Sequence, residues 1–322
     1  MSLIQSTYNP TFLFKNSHLN TTYKTFFNKS KINYKRNRIK TPDNDFLDLD
    51  FSTVGSKTMV VAMHGLEGSS QSKYIISVIN YLNSCNIDCL ALNFRGCSGE
   101  DNTNVYSYNS GKTDDVGFTI KYLLENFDYE NIILLGYSMG GNITLKYMGE
   151  TVEMDPLVKG AIGISVPCDL KGSSEALGKW YNTLYLTKFL NTLKEKSFLK
   201  LEKFPNSNLD RNAIQNAKDF EDFDNAVTAP LFGFKNAEDY WRKCSSKQFI
   251  PTIKRPTLLV NALDDSFLSK SCYPIKEAKK HPYFRLEMPE YGGHVGFNTS
   301  YFGTDLLWSE KRVFSFIKQI IR

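Results

Sequence analysis

The chain has 322 residues, of which 41% are hydrophobic and 14% aromatic, which excludes a disordered polymer and leaves room for one large α/β domain carrying an insertion. Its net charge of +5 is unevenly placed, because residues 1–42 hold eight Lys and Arg and no acid. No apolar stretch reaches the length of a membrane span, no leader pattern opens the chain, and six cysteines without a C-x-x-C pair beside four histidines argue against a disulfide frame or a zinc site, so a soluble, cytoplasmic protein with reduced thiols is expected.

Residues 1–42 form a basic arm, but apolar anchors at Tyr8, Pro10, Phe12, Leu13 and Phe14 predict that it packs on the core. Nucleic acid is not expected as a partner, and peripheral contact with a membrane surface is the alternative to a purely structural arm. Residues 37–51 read as two strands about a Pro-Asp-Asn turn, the second alternating apolar and acidic residues like a strand with one wet face. Residues 58–63 are a continuous apolar run, the pattern of a strand covered on both sides. A helix over 71–83, a strand over 87–94, a helix over 112–127 and a buried strand over 131–135 follow. Then come a helix (140–149), strands at 161–166 and 257–262, a helix (269–280), a strand (284–288) and an amphipathic terminal helix (308–321). Such alternation predicts a mainly parallel central sheet flanked by helices. It breaks between 170 and 250, a mostly helical stretch without a buried-strand pattern. We therefore expect a helical cap at 170–250 inserted into a core built from 43–169 and 251–322.

The apolar run at 131–135 ends in G-Y-S-M-G-G-N, with Ser138 between Gly136 and Gly140. G-x-S-x-G is weak alone, but between a buried strand and a helix it marks a sharp turn that lifts a hydroxyl clear of the sheet edge. A serine hydroxyl needs a base, and the base needs an orienting acid. His18 lies in the arm, His281 precedes a proline, and His64 ends the first buried strand, where it is expected to brace a loop. His294, in the glycine-rich E-Y-G-G-H-V-G-F, sits late in the chain, where the order Ser…Asp…His places the base. Asp264 and Asp265 follow the penultimate strand. Asp265, one step further along, is the favoured acid, and Asp264 would then cap or brace the loop; the sequence leaves both open. Two backbone N–H donors for an oxyanion are expected at Met139 and at Leu66. This chemistry requires no cofactor and no metal.

With these residues placed, the chain resembles the α/β-hydrolase superfamily, and within it the YheT-like branch. The likeness is carried by N-S-H-L-N-T (16–21), H-G-L-E-G-S-S (64–70), N-F-R-G-C-S-G-E (93–100), G-Y-S-M-G-G-N (136–142), S-V-P-C-D-L (165–170), V-T-A-P-L-F-G-F (227–234), N-A-L-D-D-S-F (261–267) and Y-G-G-H-V-G-F (291–297). It implies an α/β-hydrolase fold, Ser138, Asp265 and His294 as the relay, and esterase-like or acyl-transfer activity on lipid-type esters. Ser266 stands where the pattern leads one to expect proline, which leaves the shape of the aspartate loop open. In the cap, Trp180, Tyr181, Leu184, Tyr185, Phe189 and Leu190 would either line an acyl pocket or pack the cap itself. The leading expectation is hydrolysis of a small-molecule ester through an acyl-serine. An acyltransferase or thioesterase, or a non-catalytic binding protein of the same fold, are the alternatives.

Overall fold

The computed structural model describes residues 2–300 and 308–321. Among these residues the strands are β1 (Leu3–Ile4), β2 (Lys35–Lys40), β3 (Phe46–Ser52), β4 (Thr58–Met63), β5 (Asp88–Asn93), β6 (Asn131–Tyr137), β7 (Val158–Ile164), β8 (Thr257–Val260) and β9 (Phe284–Glu287). They join in one sheet in the order β1-β9-β8-β7-β6-β4-β5-β3-β2. Pairs β2–β3 and β3–β5 are antiparallel, and every other neighbouring pair is parallel. The helices used below are α1 (Ser17–Phe27), α2 (Lys73–Ser84), α3 (Asp114–Asn126), α4 (Met139–Glu150), α5 (Leu170–Leu177) and α6 (Thr183–Lys203). This is the mainly parallel sheet flanked by helices that the strand–helix alternation predicts, and the architecture that the resemblance to the α/β-hydrolase superfamily implies.

The continuous apolar runs reflect coverage of both sheet faces. Side chains of a strand point alternately to opposite sides. In β4, Met59, Val61 and Met63 enter one core cluster, and Val60 and Ala62 enter the cluster on the other face. Between β7 and β8 the chain forms α5, α6 and shorter helices, ending with Ala237–Cys244 and a 3-10 segment at Ser246–Thr252. These helices bury their apolar faces in two clusters of their own, one around Trp241 and Phe267 and one around Ile214 and Phe223.

Three local expectations need correction. The acidic face of β3 is not wet: Asp48 and Asp50 are buried. Their register partners Arg38 and Arg36 on β2 clasp them with paired bonds of 2.7 and 2.8 Å, so the guanidinium groups replace water. The helix expected at 269–280 is only a turn at Lys270–Cys272 and another at Ile275–Ala278. Pro274 lies between them and can neither donate to a helix nor let its predecessor join one. In the arm, Tyr8, Pro10 and Phe14 are buried, but Phe12 is 82% exposed and Leu13 48%. The arm packs through β1, which extends the sheet at β9, and through α1, whose Lys24 makes a buried 2.8 Å ion pair with Glu310 of the C-terminal helix Trp308–Ile320.

Candidate active site

β6 runs straight into α4, and Ser138 occupies the single residue between them. Its backbone is left-handed, with φ 52° and ψ −122°. A side chain held there costs roughly 1–3 kcal/mol, which the surrounding packing must offset. The flanking glycines permit the turn: a Cβ on Gly136 would collide with the Gly140 carbonyl, and one on Gly140 would strike the carbonyls of Met63 and His64. The hydroxyl therefore stands at the carboxyl edge of the sheet, at the positive end of α4.

His294 comes from the loop after β9. Its Nε2 lies 2.9 Å from Ser138 Oγ, and its Nδ1 lies 2.9 Å from Asp265 Oδ2 and 3.1 Å from Oδ1. The Asp265 carboxylate is buried and also accepts from the Phe267 amide at 3.0 Å. Asp264 turns away from the imidazole and accepts from the Gly293 amide at 2.9 Å. Burial pushes its carboxyl up to about 6, against the pull of that amide. Of the two adjacent acids, one touches the ring and the other ties the loop that carries it.

Met139 follows Ser138 in the chain, Leu66 follows Gly65, and both line the cavity beside the serine. The amides flanking Leu66 are occupied, since Gly65 N–H donates to Tyr74 OH (2.8 Å) and Glu67 N–H to Tyr108 OH (3.1 Å). Among the described residues, neither the Leu66 nor the Met139 N–H donates to a protein acceptor. Met139 is the first residue of α4, so it has no intrahelical partner to lose. Gly65 presses close to Ser138, where an added Cβ would come 3.1 Å from the serine Cβ. His64, behind this loop, accepts from the Phe94 amide at Nε2 (3.1 Å) and donates from Nδ1 to the Gly65 carbonyl (2.7 Å). Burial holds its imidazole down at about 4, so it is a neutral brace. His281 accepts from the backbone of Tyr283 and Phe284, remote from the site.

Two contributors escape sequence reasoning. Phe267 stacks on the His294 ring at 4.2 Å and is itself backed by Tyr185 and Phe189. Helix α1 of the arm reaches the histidine loop: Thr21 Oγ1 accepts from the His294 amide at 2.8 Å, and Asn20 holds Asn298 through bonds of 2.7 to 2.9 Å. The only trace of this in the sequence is the uncharged polar run N-S-H-L-N-T inside an otherwise basic arm.

Ser138, Met139, Leu66 and His294 open onto a cavity of about 1060 Å³ roofed by the helices between β7 and β8. Of the six cap residues expected at an acyl pocket, Tyr185 and Phe189 line it, and Tyr181 and Leu184 also border it. Leu190 is buried among Leu209, Ile214 and Phe223 within the cap, and Trp180 is 84% exposed. Leu184 is 86% exposed, so it belongs to the rim. Among the described residues no group of His, Cys, Asp and Glu could hold a metal, and no helix is long and apolar enough to cross a membrane.

Residues 58–299 match the family described as alpha/beta hydrolase fold. Over 93% of its length the chain is 31% identical to YheT of Escherichia coli (strain K12), of which it covers 89%. It is 28% identical over 92% of its length to phospholipase ABHD3 of Mus musculus, covering 74% of that protein. To the monoacylglycerol lipase of Saccharomyces cerevisiae it is 29% identical over 80% of its length, covering 57% of the lipase. Among solved structures, the Pyrococcus furiosus esterase Pf2001 superposes with a TM-score of 0.60, covering 90% of this chain and 92% of that one, at 18% identity. That likeness speaks for the fold alone.

Proposed function

The chain belongs to the α/β-hydrolase fold family, in its YheT-like branch, and from that membership we propose that it cleaves carboxylic esters through an acyl-serine formed on Ser138. The observation that carries this reading is the unbroken line of hydrogen bonds from Ser138 Oγ through both nitrogens of His294 to the Asp265 carboxylate.

In the first half-reaction His294 Nε2 takes the Ser138 proton as Oγ attacks the ester carbonyl carbon. Asp265, holding Nδ1–H, fixes the tautomer and stabilises the imidazolium without itself taking the proton. The unpaired amides of Met139 and Leu66 receive the oxyanion, each such donor being worth about 3 kcal/mol in the transition state. Collapse breaks the bond to the alcohol oxygen, which leaves with the proton from Nε2. Water, deprotonated by the same nitrogen, then attacks the acyl carbon, releases the acid and restores the serine. A lipid-type ester is supported by the apolar cavity wall and by the names of the phospholipase and monoacylglycerol lipase relatives. Contact with a lipid surface is supported by Phe26 and Leu184, exposed residues that both border the cavity.

Hydrolysis of p-nitrophenyl esters from acetate to dodecanoate, compared between wild type and Ser138→Ala, tests the reading. We expect a loss of about 10⁴-fold or more in the variant, together with loss of fluorophosphonate labelling. Equal activity in the two proteins overturns it.

A further inference from the structure

Helix α6 lends two unlike sets of side chains to the cavity beside Ser138. Tyr185, Phe189 and Leu193, from its first half, line the cavity with apolar surface near Phe267. One and two turns further on, Lys196 and Lys200 line the same cavity. Spaced four apart, they share one face of the helix.

The two lysines are differently satisfied. Lys196, about one third exposed, lies 3.0 Å from Glu67 Oε2 and donates to Oε1 at 3.1 Å, so its charge is matched. Lys200 is only 9% exposed, and its ammonium donates at 3.3 Å to the Asn104 carbonyl. Among the described residues it has no carboxylate within ion-pair distance. Asp45 acts on it only at longer range, and that carboxylate is already taken up by Asn102, Thr103, the Phe46 amide and Arg95. Asp101 borders the cavity but is exposed, so water screens it. Lys203 adds a further cation nearby and donates to the Asn102 carbonyl at 2.9 Å. A buried ammonium with one long neutral hydrogen bond is an expensive arrangement unless something else completes it. Burial indeed holds the Lys200 ammonium below the ordinary lysine range.

We infer that Lys200, supported by Lys196, is an anion subsite that receives a phosphate carried on the alcohol part of the ester. Glu67 follows Leu66 in the chain, so the Lys196–Glu67 pair sits beside the proposed oxyanion amide. Lys200 lies one helical turn, about 6 Å, beyond it. A scissile ester at Ser138 thus has apolar wall for its acyl chain on one side and a buried cation for a phosphate, a short spacer away, on the other. The inference rests on the ester-hydrolase reading for its substrate and on Lys200 alone for its selectivity.

The test compares 1-octanoylglycerol with 1-octanoylglycerol 3-phosphate. Wild type should prefer the phosphorylated ester in kcat/KM, and Lys200→Met should lower the ratio of the two by about tenfold or more. The same two ligands titrated calorimetrically into the Ser138→Ala protein, with and without Lys200→Met, read the subsite without turnover. Inorganic phosphate competing with 1-octanoylglycerol 3-phosphate on the unmodified protein separates recognition of free phosphate from recognition of a phosphate on the ester. Competition at low millimolar phosphate, abolished by Lys200→Met, also supports the subsite and marks the anion alone as sufficient. A ratio and an affinity difference that Lys200→Met does not change overturn the inference. Absence of turnover with intact, Lys200-dependent binding overturns the hydrolase reading and leaves the subsite standing.

Discussion

At the scale of single residues, the telling comparison is between Asp264 and Asp265. They are chemically identical neighbours, yet one meets the imidazole and the other the Gly293 amide. Asp265→Asn keeps the shape but replaces a carboxylate that accepts Nδ1–H by an amide able to present N–H to the ring, which favours the wrong tautomer. We expect kcat on p-nitrophenyl butyrate to fall by about 10⁴-fold. Asp264→Asn retains an oxygen for the Gly293 amide and should cost about two orders of magnitude less than that. Equal losses, or a larger loss in Asp264→Asn, would remove Asp265 from its assigned role. The sequence favours Asp265 but leaves both acids open, because the loop path after β8 is set by side-chain bonds that no pattern records. Tyr273 donates to the Ala262 carbonyl at 2.5 Å, and Asn182 from the cap donates to the Ser266 carbonyl at 2.7 Å. A further bond, made by the side chain, shows what the serine in place of the expected proline does here: Ser266 Oγ donates to Asn182 Oδ1 at 2.9 Å and so pins the loop to the cap.

Among the elements, the cap is held partly by a buried carboxylate that has no cation within ion-pair distance among the described residues. Asp224, in the short π-helical segment Asp224–Thr228, accepts from Trp241 Nε1 at 2.7 Å and from Thr228 Oγ1 at 2.6 Å. Burial pushes its carboxyl up to about 6. A carboxyl raised in the folded state adds nothing unfavourable below the unfolded value near 4, where both states are protonated, and penalises folding progressively as pH climbs from about 4 through 6. Asp224→Asn keeps an acceptor for Trp241, and the Thr228 hydroxyl can reverse its role. In urea unfolding the variant should match wild type near pH 4 and exceed it by about 2–3 kcal/mol at pH 7.5. A gap that stays constant across that range contradicts the prediction. Elements also differ in how far the sequence disclosed them. Strands such as β4 and β6 were plain, because coverage on both faces leaves an unbroken apolar run. Helix α1 was not, because its work is done by Asn20 and Thr21 through hydrogen bonds to residues some 270 positions away, and no periodicity records those bonds. The two residues of β1 are too few to show any pattern, and they become a strand only because β9 offers an open edge.

For the molecule as a whole, the lopsided charge leaves contact of the basic arm with an anionic surface as the alternative to a purely structural arm, and the structure redirects that idea. Lys24, Arg36 and Arg38 are committed to ion pairs with Glu310, Asp50 and Asp48. What α1 leaves bare at its end is apolar: Phe26 is 75% and Phe27 63% exposed. Trp180 and Leu184, at the start of the cap, are more than 80% exposed. Phe26 from the arm and Leu184 from the cap border the same cavity, so its mouth carries apolar residues from two separate parts of the chain. Insertion of such side chains into a lipid surface releases up to about 1.5–3 kcal/mol each when burial is complete. Partial burial of four would still amount to about 3 kcal/mol, or roughly a hundredfold in partition. We therefore expect a Phe26→Ser, Phe27→Ser, Trp180→Ser, Leu184→Ser protein to lose about two orders of magnitude in binding to neutral phosphatidylcholine vesicles while its thermal midpoint is retained. Binding of the unmodified protein should be nearly indifferent to added salt, since apolar insertion is not screened as charge attraction is. If binding instead requires anionic lipid and vanishes at 0.5 M salt (roughly a 4 Å screening length), the exposed lysines of the arm are the contact and the apolar mouth is not.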